Sequence, residues 1–240
     1  MHSMPTSHPT LALPAVLFAH RGARAHAPEN TLEAFRLGLR LGATGLESDV
    51  WITADGEAVL DHDGVVGGVF RRRRIAEVPR EDLPEHIPTL AELYQHCGTT
   101  FELSLDIKDP EVLDRVVAVA EEAGALARLW LCHPDLERLE QWRPVVGPAR
   151  LVHSTRVAAM ERGPEQHAAV LRGSGIDAVN LHHAEWGAGH VALFHRFGRY
   201  ALGWDAQQPR IIRSLLDMGI DGLFSDHVDR MVEAVAAVEG

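Results

Sequence analysis

Residues 101–108 read Phe-Glu-Leu-Ser-Leu-Asp-Ile-Lys, and this stretch is the most informative about the fold. Apolar and polar residues alternate throughout it, a pattern typical of a β-strand with two different faces. One face carries Phe101, Leu103, Leu105 and Ile107, and the other carries Glu102, Ser104, Asp106 and Lys108. If the apolar face packs against helices, the polar face points into the centre of a barrel.

Outward from this stretch, short apolar runs alternate with helical patterns along the chain. The predicted strands are 15–20, 45–50, 58–62, 101–108, 128–132, 150–154, 177–182, 199–204 and 221–225. The predicted helices are 31–41, 89–96, 110–122, 134–142, 165–173, 189–197, 209–218 and 228–238. Repeated strand–helix units in 240 residues favour a TIM-type (β/α)8 barrel over an open sheet. We predict one barrel domain over residues 1–240, with a small insertion at about 64–88 after the third strand.

Two features of this pattern conflict with a simple barrel. Nine candidate strands compete for eight places, so one of them is expected outside the barrel. In addition, only Trp51–Glu57 connects the second and third candidates, too few residues for the usual crossover helix of a parallel pair. The connection is therefore either an extended return or a hairpin around Ala54-Asp55-Gly56.

Composition excludes several classes of function. The formal net charge of −11 argues against a nucleic-acid partner or a broad anionic-membrane surface. We expect no stable membrane insertion, because no apolar run approaches the roughly 20 residues that span a bilayer.

The apolar stretch from Leu11 to Ala19 lacks the basic flank of a signal peptide and runs directly into His20. Cys97 and Cys132 show no disulfide or CxxC spacing, and together these observations predict a cytoplasmic protein.

Acidic residues occupy the ends of predicted strands, where a barrel places its active site. Glu47 and Asp49 are two apart on one strand, so both carboxylates point to the same side. Asp106 lies on the polar face of another strand. Three inward carboxylates repel one another unless a cation neutralises them, and oxygen ligands suit a hard divalent ion such as Mg²⁺ or Ca²⁺.

Two histidines also end predicted strands, His20 the first and His62 the third. On the expectation that these strands are parallel neighbours, the two rings flank the metal site as general acid and general base. The chain has 15 histidines. Those interpreted as surface or packing residues are His2, His8, His86, His96, His167 and His195.

The basic residues of this chain are almost all arginine rather than lysine. All 23 basic residues are arginine except Lys108, which therefore stands out as a compact ammonium group beside the carboxylate positions. The run Arg71-Arg72-Arg73-Arg74 has two interpretations. It is either a solvated surface or a local positive patch that draws anionic substrates to an otherwise acidic protein.

A set of motifs resembles the glycerophosphodiester phosphodiesterase family. The motifs run in order along nearly the whole chain and are specific as a set. They are His20-Arg21-Gly22, Pro28-Glu29-Asn30-Thr31, Ala34-Phe35, Glu47-Ser48-Asp49, Asp55-Gly56, His62-Asp63, Ile87-Pro88-Thr89-Leu90, Asp106-Ile107-Lys108, Trp204, Gly219-Ile220-Asp221-Gly222 and Ser225-Asp226.

The resemblance implies a metal-dependent TIM-barrel hydrolase that converts a small glycerophosphodiester to glycerol 3-phosphate and an alcohol. It places the metal ligands at Glu47, Asp49 and Asp106, with Mg²⁺ or Ca²⁺ expected and Mn²⁺ also compatible. It places the acid/base pair at His20 and His62, the phosphate contacts at Arg21 and Lys108, and an apolar pocket wall at Trp204. Asn30 either touches the metal's shell or the loop after His20, or caps the first helix.

This chain departs from the family pattern in three places. Asp106 stands where the family usually has Glu, Asp205-Ala206-Gln207 follows Trp204 in place of Thr-x-Asn, and the four-arginine run occupies the insertion. Two alternatives remain at this point: a related barrel phosphodiesterase acting on lysophospholipids or sphingomyelin, and a non-catalytic phosphodiester-binding barrel. The alcohol head group and the oligomeric state are left open by the sequence.

Overall fold

The structure is a computed structural model that describes residues 11, 14–68 and 71–239. Its strands are β1 (Val16–Ala19), β2 (Gly45–Ile52), β3 (Ala58–Leu60), β4 (Val65–Val66), β5 (Arg73–Arg74), β6 (Glu102–Ile107), β7 (Leu129–His133), β8 (Arg150–Ser154), β9 (Ala178–His182), β10 (Tyr200–Trp204) and β11 (Gly222–Ser225). Its helices are α1 (Leu32–Arg40), α2 (Leu90–Cys97), α3 (Leu113–Glu122), α4 (Leu136–Trp142), α5 (Gly163–Gly173), α6 (Ala188–Arg196), α7 (Pro209–Asp217) and α8 (Val228–Glu239). His2 and His8, predicted as surface or packing residues, lie outside the described residues.

In the described ranges, eight parallel strands close into a barrel in the order β1, β2, β6, β7, β8, β9, β10 and β11, with β1 pairing both β2 and β11. The predicted TIM-type barrel is confirmed. The candidate strand outside the barrel is β3, which pairs antiparallel with β2 in a hairpin through Asp55 and Gly56. A second small hairpin, β4 with β5, lies within the segment predicted as an insertion.

The two faces of β6 behave as the alternation in the sequence predicted. Leu103, Leu105 and Ile107 belong to the main core between the strands and the helices. On the inward face, Ser104 lies within 3.3 Å of Cys132. Asp106 stands beyond Ser104, towards the carboxyl end of the barrel. The same strand therefore contributes to the core with one face and to the cavity with the other.

The barrel interior is filled below the cavity, so the barrel is not a pore. Phe18 stacks on Phe224 at 4.6 Å between ring centroids and meets Trp130 edge-on at 6.0 Å. The other buried residues of this inner cluster are Val16, Cys132, Val152, Ala178 and Leu202. This apolar plug separates the cavity at the carboxyl end of the barrel from the amino end, where Arg150 pairs with Glu102 at 3.1 Å.

Two further observations concern the cysteines and the helices. Cys97 and Cys132 are both free, as expected from their spacing. Among the helices of the described segments, none has the length and apolar character that crossing a bilayer requires.

The loop after β1 is held tightly against α1, and Gly22 makes this possible. Its φ is +79°, and a Cβ added there would lie 2.6 Å from the carbonyl carbon of Ala34. The N–H of Ala23 also donates to the carbonyl of Ala34 at 2.9 Å. His20 and Arg21 immediately precede this contact, so their position depends on it.

We expect Gly22→Ala to destabilise the protein more than Gly56→Ala. Gly56 has a similar φ of +85° but open space around its Cβ position, so it isolates the cost of a left-handed backbone. That cost is about 1–2 kcal/mol, and the overlap at Gly22 should add about 1–3 kcal/mol more. Urea unfolding of both variants tests this, and equal losses at the two sites would contradict it.

Candidate active site

A cavity of about 370 Å³ opens at the carboxyl end of the barrel. Polar and charged side chains predominate in its lining, and most of them lie at or just after the ends of strands. The lining residues are His20, Arg21, Arg24, Glu47, Asp106, Ser154, Asn180, Trp204, Asp205, Gln207, Phe224 and Asp226. Its position is where a TIM barrel carries its active site.

Three carboxylates converge at this cavity as predicted. Oxygen atoms of Glu47, Asp49 and Asp106 all lie within 4.8 Å of one another. Glu47 and Asp49 share one face of β2, and the register of β2 with β6 sets Asp49 opposite Asp106. Glu47 and Asp49 are buried, so water screens their mutual repulsion poorly.

Cationic groups already pair with these carboxylates. The Lys108 ammonium lies 2.9 Å from Asp49 Oδ1 and 3.3 Å from Asp106 Oδ2. Although burial lowers the pKa of Lys108, the carboxylates of Asp106 and Asp49 raise it above its ordinary value. Lys108, the chain's one lysine, therefore stays charged inside the acidic cluster.

Arg21 reaches the same cluster through its backbone and its side chain. Its N–H donates to Glu47 Oε2 at 3.0 Å, a contact made from a backbone φ of +50°. Its Nε lies 3.4 Å from Asp49 Oδ2, but both atoms are buried and neither makes a hydrogen bond. The guanidinium also pairs with Glu29 at 3.0 Å. Asp49 Oδ2 is thus a buried carboxyl oxygen without a hydrogen-bond donor.

Glu47 holds its proton unusually strongly. Burial raises its pKa well above the usual carboxyl range, and the charges of Asp49 and Asp106 add to the increase while His20 opposes it. Because burial is the main cause and the neighbouring carboxylates add to it, the neutral form of Glu47 is favoured in the metal-free cluster. The three residues could supply oxygen ligands to a hard divalent ion.

His20 lines the cavity and is held from behind by Asp226. Its Nδ1 lies 2.6 Å from Asp226 Oδ1, and its Nε2 lies 3.8 Å from Glu47 Oε2. Burial lowers the pKa of His20, but Glu47 and Asp226 outweigh this effect and raise it above 6.5. One ring nitrogen is therefore committed to a partner, and the other faces the carboxylate cluster.

His62 is placed differently from the expectation. It follows β3, which is antiparallel to β2, so the prediction that His20 and His62 end neighbouring parallel strands was wrong. The short return after Gly56 is the physical reason, because it is too short for a crossover. The Asp61 N–H donates to the Asp49 carbonyl at 3.1 Å, which brings this segment alongside the rim. His62 itself is exposed, bonds Asp63 at 2.8 Å, and is absent from the cavity lining.

The segment before α1 resolves the alternatives for Asn30. Thr31 caps the helix by accepting from the Ala34 N–H at 3.1 Å, so a capping role for Asn30 was wrong. Asn30 is buried, with a φ of +55°, and its Oδ1 accepts from Ser48 at 2.7 Å. Because Ser48 alternates with Glu47 and Asp49 along β2, Asn30 contacts the outer face of that strand and fixes the loop after His20.

Trp204 lines the cavity, but its ring already has partners. The Arg156 guanidinium lies 4.9 Å from the ring centroid, and His182 meets the ring edge-on at 4.6 Å. Asp205, with a φ of +63°, accepts from His182 at 3.3 Å. The wall predicted as apolar is therefore aromatic on one face and charged at its rim.

Sequence reasoning missed several lining residues. Ser154 ends β8 and Asp226 directly follows β11, so the rule that found His20 could have included both, whereas Asn180 lies in the middle of β9. Arg24 belongs to the loop after β1 and pairs with Glu29 at 2.6 Å. No local pattern distinguishes Arg24 from the other arginines of the chain.

Two further groups of potential metal ligands occur in the described part of the chain. One is His26, His227 and Asp229, in which His26 bonds Asp229 at 3.1 Å. The other is His182, His183 and Asp205. In the second, His182 Nδ1 accepts from the Ala184 N–H at 3.2 Å, so Nε2 carries the proton and is directed to Asp205. That tautomer does not offer Nε2 to a metal.

Comparison with known proteins gives a consistent result. The model of the "Glycerophosphoryl diester phosphodiesterase family" matches residues 20–230. A Mycobacterium tuberculosis protein named "Probable glycerophosphodiester phosphodiesterase 2" is 28% identical over 92% of this chain and 91% of its own length. A Bacillus altitudinis protein named "Glycerophosphodiester phosphodiesterase" is 24% identical over 90% of this chain and 96% of its own.

Solved structures share the fold. A glycerophosphodiester phosphodiesterase from Thermotoga maritima superimposes with a TM-score of 0.78 at 24% identity, over 91% of this chain and 97% of that one. An Oleispira antarctica phosphodiesterase, in complex with the product sn-glycerol-3-phosphate, gives 0.79 at 19% identity, over 92% and 96%. At these identities the similarity establishes the barrel architecture.

The raised pKa of Glu47 makes a prediction about the stability of the metal-free protein. The folded state keeps this proton to higher pH than the unfolded chain, whose glutamates titrate near 4.5. The free energy of unfolding therefore falls as pH rises from 4.5 through the raised pKa. Glu47→Gln should remove that part of the fall, which is about 1.4 kcal/mol for each unit of increase.

Urea denaturation in a chelator, from about pH 5 to about pH 8, measures this effect. Glu121→Gln, at an exposed position of α3, is the matched control and should follow the wild-type slope. If Glu47→Gln showed the wild-type slope as well, Glu47 would not carry the proton.

Proposed function

The chain belongs to the glycerophosphoryl diester phosphodiesterase family, and we propose that it cleaves a glycerophosphodiester to glycerol 3-phosphate and an alcohol with the help of a divalent cation and two histidines. It is a glycerophosphodiester phosphodiesterase.

The convergence of Glu47, Asp49 and Asp106 carries the proposal. Their oxygen atoms lie within 4.8 Å of one another at the open end of the barrel, beside His20. Asp49 Oδ2 is buried without a hydrogen-bond donor, and the pKa of Glu47 is raised. Both observations support a cation bound among the three carboxylates. Mg²⁺ or Ca²⁺ suits such oxygen donors, and Mn²⁺ is compatible. When bound, the ion supplies Lewis-acid stabilisation of charge on the phosphoryl oxygens.

Asp106 is a shorter ligand than the Glu usual in the family. Its β6 position is fixed by pairing with β2 and β7, so the strand offers little freedom to compensate for the missing methylene. On this side a water molecule would supply the ligand that the shorter side chain does not reach. Ca²⁺ tolerates such variation in ligand geometry better than Mg²⁺ does.

Arg21 and Lys108 are the proposed phosphate contacts. Both lie beside Asp49; Arg21 lines the cavity, and Lys108 contacts the lining residue Asp106. Binding of a divalent cation to the carboxylates would reduce their hold on these two side chains. The guanidinium and the ammonium would then be available to the phosphate oxygens.

His20 and His62 are the proposed acid/base pair. One imidazole takes the proton from the glycerol 2-hydroxyl as its oxygen attacks phosphorus, and the other donates a proton to the departing alkoxide. The product of this step is a cyclic phosphate and a free alcohol. Water then opens the ring, with the proton transfers reversed, to give glycerol 3-phosphate.

The position of His62 gives this proposal a specific requirement. His62 is 42% exposed at its side chain and bonds only its neighbour Asp63 among the contacts described for it. To reach a substrate bound over the carboxylates, its side chain must rotate away from Asp63. Apo structures often show catalytic histidines out of their working position, so exposure alone does not remove His62 from the mechanism.

The decisive experiment is a substrate panel measured with Mg²⁺, Mn²⁺ and Ca²⁺ in turn after removal of bound metal. We expect release of glycerol 3-phosphate with at least one ion and loss of activity in chelator. His20→Ala and His62→Ala should each lower kcat by about 10²–10⁴-fold with the fold retained. Full activity in chelator would contradict the metal assignment, and full activity of either variant would remove that histidine from the chemistry.

Replacement of Lys108 by Arg tests whether a compact ammonium is required. The planar guanidinium is larger and would not fit between Asp49 and Asp106, so we expect kcat/KM to fall by about 10²-fold. Arg115→Lys is a matched exchange at an ion pair with Glu57 and should have little effect. A fully active Lys108→Arg variant would make this lysine a bystander.

The four-arginine run also allows a test. Arg71, Arg72 and Arg74 are exposed, and Arg72–Arg74 border an open depression that also includes Asp63. Exchange of Arg71, Arg72 and Arg74 for Gln should lower kcat/KM and weaken its salt dependence if they attract the substrate. The same exchange at exposed Arg36, Arg210 and Arg213 controls for net charge. Equal effects of the two triple variants would leave the run as a solvated surface.

A further inference from the structure

We propose that Asp226 and Gln207 are positioning residues for His20: Asp226 fixes the ring and its tautomer, and Gln207 fixes Asp226. The inference rests on the proposed function insofar as His20 is an acid/base group. The arrangement of the three residues is itself a property of the folded chain and can be measured without turnover.

The contact between His20 and Asp226 defines which ring nitrogen is free. The distance between Nδ1 and Asp226 Oδ1 is 2.6 Å, short enough for a charge-assisted hydrogen bond. Although burial raises the pKa of Asp226, the hydrogen bond from His20 and the nearby Arg24 lower it below its ordinary value. The carboxylate is therefore ionised and can only accept, so Nδ1 carries the proton.

The other nitrogen of the ring then has a defined role. With Nδ1 protonated, the neutral ring presents a lone pair at Nε2, which points to the cavity side, 3.8 Å from Glu47 Oε2. An imidazole without such a partner divides between two tautomers and can rotate about its χ2 angle. A carboxylate behind the ring removes both freedoms, which is the usual effect of a second residue on a functional histidine.

Gln207 fixes the position of Asp226, the residue that contacts His20. Its Oε1 accepts from the Asp226 N–H at 3.0 Å and from the Ser225 hydroxyl at 3.1 Å. Because the backbone N–H can only donate, the amide orientation is determined: oxygen to Asp226 and nitrogen to Asp205, at 3.2 Å. The Gln207 carbonyl is fixed in turn by Arg230 at 3.0 Å.

The backbone ties the two ends of this arrangement together. The His20 N–H donates to the Ser225 carbonyl at 3.0 Å, and the Ala206 N–H donates to the Phe224 carbonyl at 3.0 Å. The ends of β1, β10 and β11 are thereby linked next to the cavity. Gln207 belongs to the Asp205-Ala206-Gln207 segment, so the residues that depart from the family pattern after Trp204 have a structural role here.

The first test is Asp226→Asn in the full-length protein. Its amide can present nitrogen to Nδ1, which would favour the tautomer with the proton on Nε2. We expect kcat to fall by about 10²-fold or more, by analogy with loss of a carboxylate that orients a histidine, while KM changes by less than about 3-fold. In ¹⁵N spectra of the metal-free protein, the His20 signals should lose the pattern of an Nδ1-protonated ring; the His20→Gln spectrum assigns them.

The chain offers a closely matched control. Asp229 bonds His26 at 3.1 Å, three residues further along the chain and outside the cavity lining. Asp229→Asn also replaces an acid that partners a histidine, with the same change in charge. It should leave kcat, KM and the His20 signals at their wild-type values.

A double-mutant cycle tests the role of Gln207. Gln207→Leu removes the acceptor for Asp226 and should lower kcat and disturb the His20 signals in the same direction as Asp226→Asn. If Gln207 acts through Asp226, the double variant should be no slower than Asp226→Asn alone, because the effects are not additive. Additive losses would overturn the role of Gln207. If Asp226→Asn fails to fold in urea-unfolding controls, the signals of Gln207→Leu still decide the question.

The outcomes separate this inference from the proposed function. An unchanged kcat and unchanged His20 signals in Asp226→Asn would overturn the inference. A rise in KM at constant kcat would overturn it as well, since it would make Asp226 a substrate contact. A wild-type protein inactive with every ion and substrate would defeat the proposed function alone, while the signals of wild-type, Asp226→Asn and Asp229→Asn would still test the positioning of His20.

Discussion

The repulsion among three carboxylates is the constraint on which the open end of the barrel depends. Glu47 and Asp49 lie on one face of β2, and Asp106 faces them from β6, all within 4.8 Å of one another. A barrel forces this proximity because inward positions of neighbouring strands cannot move apart without breaking the sheet. The pKa of Glu47 is raised, so its carboxyl group tends to stay neutral. Lys108 and Arg21 place positive charge beside Asp49. These groups offset part of the repulsion among the three carboxylates.

The balance of charge also explains how the site's histidine is held. His20 stands between Glu47 and Asp226, so both ring nitrogens face carboxyl groups at different distances, 3.8 Å and 2.6 Å. The nearer partner fixes the ring, and the farther one belongs to the carboxylate cluster. Asp226 directly follows β11, and Gln207 lies in the loop after β10. Closure of the barrel brings these distant parts of the sequence next to β1.

The sequence predicted those parts of the structure that follow from periodicity. Alternation in residues 101–108 indicated the inward face of β6, and two-residue spacing on β2 indicated that Glu47 and Asp49 share a side, both of which the structure confirms. His62 was misplaced because the tight return at Gly56 makes β3 antiparallel, a tertiary consequence of a turn. The role of Gln207 had no local signal at all. It depends on one side-chain oxygen meeting a backbone N–H that is 19 residues away.

The single lysine connects the chemistry of the site to its geometry. Asp106 lies opposite Asp49 on the neighbouring strand. The Lys108 ammonium reaches both carboxylates as a point charge, at 2.9 and 3.3 Å, whereas a guanidinium is larger and planar. All remaining basic residues of the chain are arginines. We therefore connect the presence of lysine at position 108 with the shorter carboxylate at position 106. The position of Asp106 opposite Asp49 is what allows one ammonium group to contact both carboxylates.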